Sequence, residues 1–221
     1  MLAVLYDIHG NLDALEAVLA DAETAGASRH MLGGDYAVAG PRPRETIERL
    51  WELPEATWIR GNVDRWLVDR SDAPGPAHGA IDRARELLGH ELADQLAALP
   101  EQAVLDGVRY CHASPVSDMR PFFPEPADDE DELLDGVEEQ RVVAGHIHVQ
   151  FERERVLNPG SVGMPWDGDH RAAYALRSDD GRFELRRVEY DWRSAAAAIR
   201  NRLGDAGELP ARRLEQARFD V

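Results

Sequence analysis

An α/β fold is what the sequence predicts, on three observations. A short apolar run, Leu2 to Tyr6, is bounded by Asp7 and Gly10 and is followed from Leu12 by a pattern of helical period. Strand-like runs then recur with helical patterns in most of the gaps between them, which is the signature of alternating β and α elements. Beyond Asn158 the pattern changes to two strand-like segments around "SDDG", a hairpin signal, and then to helices.

Each element has a local reason. Leu2 to Tyr6 reads as a buried strand. Asn11 is a good N-cap for the helix after it, Leu12, Leu15, Leu19 and Ala22 share one face, and Gly26 can supply the C-terminal cap. Further strands are expected at "HMLGG" before Asp35, "ATWIR" before Asn62, "VRYC" before His112 and "RVVAG" before His146. Helices are expected over Glu45 to Leu53, after the breaker "GPRPR", and over Ala80 to Leu99, with Ile81, Ala84, Leu88, Leu92 and Leu96 on one stripe. Asp128 to Asp135 reads as a solvated short helix or loop face. "RAAYALR" and "RFELRRVEY" form the hairpin, and helices are expected over Asp191 to Leu203 and Leu209 to Ala217.

A chain of 221 residues with 43% hydrophobic residues can bury a sizeable core, and one domain is the expectation. Its 42 acidic side chains against 25 basic ones give a formal charge of −17. Such a surface repels polyanions, which argues against extended nucleic-acid binding, although a metal-lined pocket still attracts one small phosphate. The basic residues are all arginine, so lysine chemistry such as a Schiff base is excluded. The single cysteine, Cys111, cannot form an internal disulfide and reads as a strand residue facing away from any site. Without a signal-peptide pattern or an apolar stretch of membrane-spanning length, the expectation is a cytoplasmic protein that does not engage membranes.

The informative feature is where the polar residues fall. Asp7, Asp35, Asn62, His112 and His146 each lie at or just beyond the end of an apolar strand-like run. Sites in α/β sheets form outside the carboxyl ends of strands, because the loops there converge. Residues i and i+2 of an extended segment point the same way, so Asp7 is expected to cooperate with His9, and His146 with His148. Imidazole nitrogen mixed with carboxylate and amide oxygen suits Mn²⁺, Fe²⁺, Co²⁺, Ni²⁺ or Zn²⁺ better than Ca²⁺ or Mg²⁺. Taken singly, each residue has an ordinary role as a turn former, cap or core histidine. Four of the eight histidines occupy these settings, whereas His30, His78, His90 and His170 read as surface or helix residues.

Taken as an ordered set, "DIHGN", "GGDYAVAGP", "RGNVD", "CHASP", "AGHIH" and "NPGSVG" resemble the calcineurin-like metallophosphoesterase superfamily. The G-D-x-x-x-x-G-P-x-P form and the short length look most like its compact prokaryotic phosphodiesterase-like branch. The resemblance implies a four-layer α-β-β-α sandwich of two mixed β-sheets flanked by helices. It implies one domain over residues 1–221, with the motifs in 1–163 and the hairpin and helices of 171–221 completing it. It also implies two divalent transition-metal ions, one held by Asp7, His9 and His148, the other by Asn62, His112 and His146, with Asp35 bridging. The implied activity is hydrolysis of a small phosphate ester, a phosphodiester ahead of a monoester, by a hydroxide between ions roughly 3.5–4 Å apart, with Asp35 and Asn62 acting through it.

One motif departs from the family. Many relatives carry G-N-H-[DE], whose histidine reaches the phosphate and protonates the leaving group, and this chain has "GNVD". Val63 can do neither, and Asp64 loses the imidazole it would support. A general acid contributes about 10²–10⁴ in rate, so good leaving groups, or a substitute such as His170, Asp118 or Arg120, are expected to compensate. The competing readings are a phosphomonoesterase acting on a nucleotide, phosphoprotein or metabolite, and a catalytically weak metal-binding scaffold for a partner protein. "NPGSVG" reads equally as a wall of the site or a connector, and Ser114 to Glu132 as a rim loop or an ordinary surface excursion. Oligomeric state is left open.

Overall fold

The computed structural model describes residues 1–221. Strand β1 (Leu2–Leu5) leads into helix α1 (Leu12–Thr24), and the expected caps form. The Asn11 side chain accepts the Ala14 N–H at 3.3 Å. At the other end Gly26, at φ +86°, lets its own N–H reach Glu23 O and that of Ala27 reach Ala22 O, both at 2.9 Å. There follow β2 (Arg29–Leu32), α2 (Pro43–Trp51), β3 (Ala56–Trp58), α3 (Asn62–Trp66), α4 (His78–Leu88), α5 (His90–Ala97), β4 (Gln102–Leu105) and β5 (Val108–Cys111). The remainder is α6 (Glu130–Leu133), β6 (Arg141–Val143), β7 (Phe151–Glu152), β8 (Val156–Asn158), β9 (Ala172–Arg177), β10 (Phe183–Val188), α7 (Trp192–Leu203) and α8 (Glu208–Gln216).

These strands form two mixed five-stranded sheets, ordered β10-β9-β1-β2-β3 and β4-β5-β6-β8-β7. In the first, β1, β2 and β3 run parallel, and the β9–β10 hairpin adds antiparallel to β1. In the second, β5, β6 and β8 run parallel, with β4 and β7 antiparallel at the edges. Strand alternation separates the layers. Ala3 and Leu5 pack with Leu15, Val18, Ile47 and Ile81 of the helices, while Leu2, Val4 and Tyr6 pack between the sheets with Val108, Tyr110, Val143 and Leu157. On the outer side of the second sheet, Cys111, Val142 and Val156 are covered by Phe122 and Leu133. The fourth layer is therefore the segment around the one-turn helix α6, and Cys111 faces away from the strand ends' shared site, as expected.

The long helix expected over Ala80 to Leu99 is two helices. Gly89 adopts φ +81° and ψ 162°, and the Arg44 guanidinium donates to the carbonyls of Leu87 and Leu88, which satisfies the end of α4. The apolar stripe continues across the break because both helices pack on the same core, and that is why the pattern alone did not reveal it. Strand β4 has no counterpart among the expected strands, although Asp106-Gly107, at φ 52° and 75°, makes a two-residue hairpin turn into β5. Its Val104 is 52% exposed, so the strand lacks a strong apolar signature. Helix α3 and strands β7 and β8 likewise lie outside the expected elements. His78 and His90 open α4 and α5, but His30 is a buried strand residue whose Nδ1 lies 2.9 Å from Pro54 O.

Candidate metal centre

The structure brings all seven sequence-predicted residues to one place, at the carboxyl ends of strands from both sheets. Asp7 and His9 follow β1, Asp35 follows β2, Asn62 follows β3, His112 follows β5, and His146 and His148 follow β6. All are buried except His146, which is partly exposed. Two groups have their donor atoms within 4.8 Å of one another: Asp7, His9 and His148, and Asp7, Asp35 and His112. In the first, His9 Nε2 lies 3.1 Å from His148 Nε2, which is 3.4 Å from Asp7 Oδ1. In the second, His112 Nε2 is 3.3 Å from Asp35 Oδ2 and 3.9 Å from Asp7 Oδ1. Asp35 Oδ2 is also 3.9 Å from His9 Nε2, so this carboxylate lies between the groups, and Asp7 is shared by both. Asn62 and His146 stand beside them as a pair, with Asn62 Oδ1 2.9 Å from His146 Nδ1.

The histidine tautomers follow from their partners. His9, His112 and His148 each place Nδ1 at 2.6–2.9 Å from a backbone carbonyl, of Val38, Gly33 and Met164 respectively. A carbonyl only accepts, so Nδ1 carries the proton and Nε2 of the neutral ring offers a lone pair inward. Two such lone pairs, on His9 and His148, face each other at 3.1 Å. Asp7 Oδ1 and His112 Nε2 are buried with no hydrogen-bond partner at all. Acceptors converging in a buried cleft suit a cation, and nitrogen with carboxylate oxygen is the donor set that borderline divalent cations take.

The electrostatics show the same demand. Burial disfavours the charged form of His112, yet Asp35 and then Asp7 outweigh it and raise its pKa to about 10, so that a proton occupies Nε2 wherever no cation does. Asp35, which burial alone would push up, is instead held well below the usual carboxylate range, chiefly by His112. His146 goes the other way, lowered to about 4 by burial and then by the His112 charge. His9 is likewise lowered by burial and by His148.

The backbone places these groups by a device that differs from the expected one. Asp7, His9, Asp35, His146 and His148 have φ of 55°, 49°, 59°, 69° and 54°, all in the left-handed region. The pairs Asp7/His9 and His146/His148 therefore do not lie on extended segments. The turns split the second pair, sending His148 to Asp7 and His9 and leaving His146 with Asn62. A non-glycine residue in this region costs roughly 1–3 kcal/mol, so the neighbouring structure must over-determine it.

That neighbouring structure is visible. Asp64, fully buried, accepts from the backbone N–H groups of Asp35 (2.7 Å), Gly61 (2.9 Å) and Tyr36 (3.1 Å), tying the loops after β2 and β3 together. Burial and then the Asp35 charge push its pKa up to about 7, and the three N–H donors oppose that by holding the carboxylate form. The Val63 N–H donates to Asp35 Oδ1 at 3.1 Å while its side chain, 8% exposed, joins the helix core. "NPGSVG" is a wall: Ser161 Oγ and the Gly163 N–H both donate to Asp7 O, at 2.7 and 3.0 Å, and the Asn11 side-chain amide donates to Gly163 O at 2.8 Å. Past it, Trp166 stacks on His148, a residue that no motif had marked. The start of the Ser114 to Glu132 segment is a rim, since Ser114, Pro115, Ser117 and Asp118 line a small cavity with His112.

The expected substitute acids are engaged elsewhere. His170 stacks on Trp192 with Nε2 2.9 Å from Glu215 O, and Arg120 donates to Asp129 and Glu132. Asp118 borders the His112 cavity but accepts from Arg60 and Arg65. No helix is long and apolar enough to cross a membrane.

Comparison with known proteins is consistent with this geometry. The model of the calcineurin-like phosphoesterase superfamily domain matches residues 1–181. An uncharacterised protein of Methanocaldococcus jannaschii is 30% identical over 233 residues, covering 92% of this chain and 93% of that protein. The crystal structure of a metallophosphoesterase from Sphaerobacter thermophilus superposes with TM-score 0.82 at 29% identity, over 98% of this chain and 99% of the other. A hypothetical protein of Pyrococcus horikoshii shares the fold with TM-score 0.81 at 23% identity, over 95% and 98% of the two chains.

Proposed function

Because the chain belongs to the calcineurin-like phosphoesterase superfamily, we propose that it is a dinuclear metal-dependent phosphodiesterase. Asp7, His9 and His148 hold one ion, Asn62, His112 and His146 hold the other, and Asp35 lies between them. The observation that carries this reading is the facing pair of imidazole lone pairs at 3.1 Å, beside the unpartnered Asp7 Oδ1 and His112 Nε2.

When bound, two ions such as Mn²⁺, Fe²⁺, Co²⁺, Ni²⁺ or Zn²⁺ supply Lewis acidity to the phosphoryl group and bring the pKa of a water close to neutrality. The chain's own residues do the rest. Backbone carbonyls fix the three imidazole planes, and the Val63 N–H fixes Asp35 so that Oδ2 faces His112. Asp7 and Asp35 contribute two negative charges against four from two dications, leaving two positive charges for substrate and water. That net charge attracts phosphate esters of either class, and the preference for diesters rests on the G-D-x-x-x-x-G-P-x-P form of Gly34 to Pro43. Val63 has no proton to give, so the leaving group departs without a general acid from position 63.

Metal analysis is expected to find close to two transition-metal equivalents per chain. An aryl phosphodiester is expected to be hydrolysed faster than its monoester with Mn²⁺ or Ni²⁺, and the rate to fall steeply as leaving-group pKa rises. A faster monoester would establish the monoesterase reading, and metal without turnover across a broad panel the scaffold reading. If Asn62→Ala and His112→Ala leave both metal content and activity unchanged, the second position is wrong.

A further inference from the structure

Trp166 lies directly after the wall formed by "NPGSVG", and its indole ring lies flat on the His148 imidazole, with centroids 3.6 Å apart and planes 14° from parallel. Two backbone bonds lock the geometry: the Trp166 N–H donates to His148 O at 3.1 Å, and His148 Nδ1–H donates to Met164 O at 2.6 Å. Trp166 Nε1 is buried with no hydrogen-bond partner, so what the residue presents to the site is its face. The C-terminal tail supports the indole, with Phe219 4.7 Å away by ring centroids and the Gly168 N–H donating to Ala217 O at 3.0 Å.

We infer that Trp166 is a positioning residue for the first metal position, and that it favours the metal-loaded form of His148. This rests on the metal-binding reading above. An imidazole that coordinates a cation takes on positive charge, and the face of an indole attracts positive charge. The stack therefore stabilises loaded His148 more than free His148, and it also holds the ring plane so that Nε2 points at Asp7 and His9.

The test uses the full chain stripped of metal and titrated with Co²⁺ or Ni²⁺, following tryptophan fluorescence and metal content after dialysis. Trp166→Ala is expected to weaken the tighter-binding or the weaker-binding equivalent, whichever His148→Ala abolishes, by about tenfold or more, and to leave the other in place. Trp166→Phe, which keeps an aromatic face, is expected to restore most of that affinity. The wild-type chain is expected to lose fluorescence as the His148 equivalent fills, and Trp166→Phe to lose less. Phe219→Ala is expected to shift the same equivalent by a smaller factor. Unchanged affinity for both equivalents in Trp166→Ala would overturn the inference, as would an equal loss at both positions or a failure of Trp166→Phe to rescue. If the wild-type chain binds no metal, the metal-binding reading itself falls, a result distinct from any of these.

Discussion

Replacing Asp64 is expected to loosen at once the two loops that carry the proposed ligands Asp35 and Asn62. Its carboxylate is the only acceptor for the Asp35, Tyr36 and Gly61 N–H bonds described above, at 2.7, 3.1 and 2.9 Å. Alanine leaves three buried donors unsatisfied, each worth about 1–3 kcal/mol. Part of that is offset, because the substitution also removes a fully buried negative charge beside Asp35. The net loss for Asp64→Ala is placed at roughly 2–4 kcal/mol. In Asp64→Asn the amide oxygen can replace Oδ2 and keep the Asp35 and Gly61 bonds, but the amide N–H₂ then meets the Tyr36 N–H, so the cost is about 1–2 kcal/mol. Urea unfolding at neutral pH measures both, and metal content reports whether Asp35 has moved. The reasoning is refuted if Asp64→Ala unfolds within 0.5 kcal/mol (about the scatter of neutral surface substitutions) of the wild type and retains its metal, or if the amide is worse than the alanine.

Three other outcomes follow from the structure. Gly163→Ala would set a Cβ 1.9 Å from Ile8 O and 2.6 Å from Ile8 C, a clash with backbone that only a shift of the Asp7 loop relieves. A loss of about 3 kcal/mol or more, with reduced metal content, is expected from thermal melts and metal analysis. Chelation is expected to lower the melting temperature: ligand at 100 times its dissociation constant stabilises by about 2.7 kcal/mol, which in a chain of this size corresponds to roughly 5–10 °C per ion. Asp21 accepts from the Tyr174 hydroxyl at 2.6 Å and from Arg186 at 2.9 and 3.0 Å. Burial raises its pKa, but Tyr174 and Arg186 outweigh that and lower it. A lowered carboxylate pKa contributes stability that is complete above the unfolded value of about 4 and is lost as pH falls through the lower folded value. The stability gap between wild type and Asp21→Asn, about 1 kcal/mol by urea unfolding, is therefore expected to hold from pH 7 to 5 and to shrink below 4.

The sequence by itself determined which polar residues stand at the strand ends. Strand ends, turn glycines and caps are written in spacings of a few residues, so Asp7, Asp35, Asn62, His112 and His146 could be placed at strand ends before any coordinates, and the motif order identified the two-sheet sandwich. Only the tertiary structure decided how those residues meet. His9 and His148, 139 positions apart, face each other because left-handed turns after β1 and β6 aim them, and an expectation based on extended segments could not supply that. The break at Gly89, the bonds of Asp64 and the stack of Trp166 on His148 were equally invisible. Each depends on a partner brought close by the packing of one sheet or loop on another, and local pattern carries no record of such a partner.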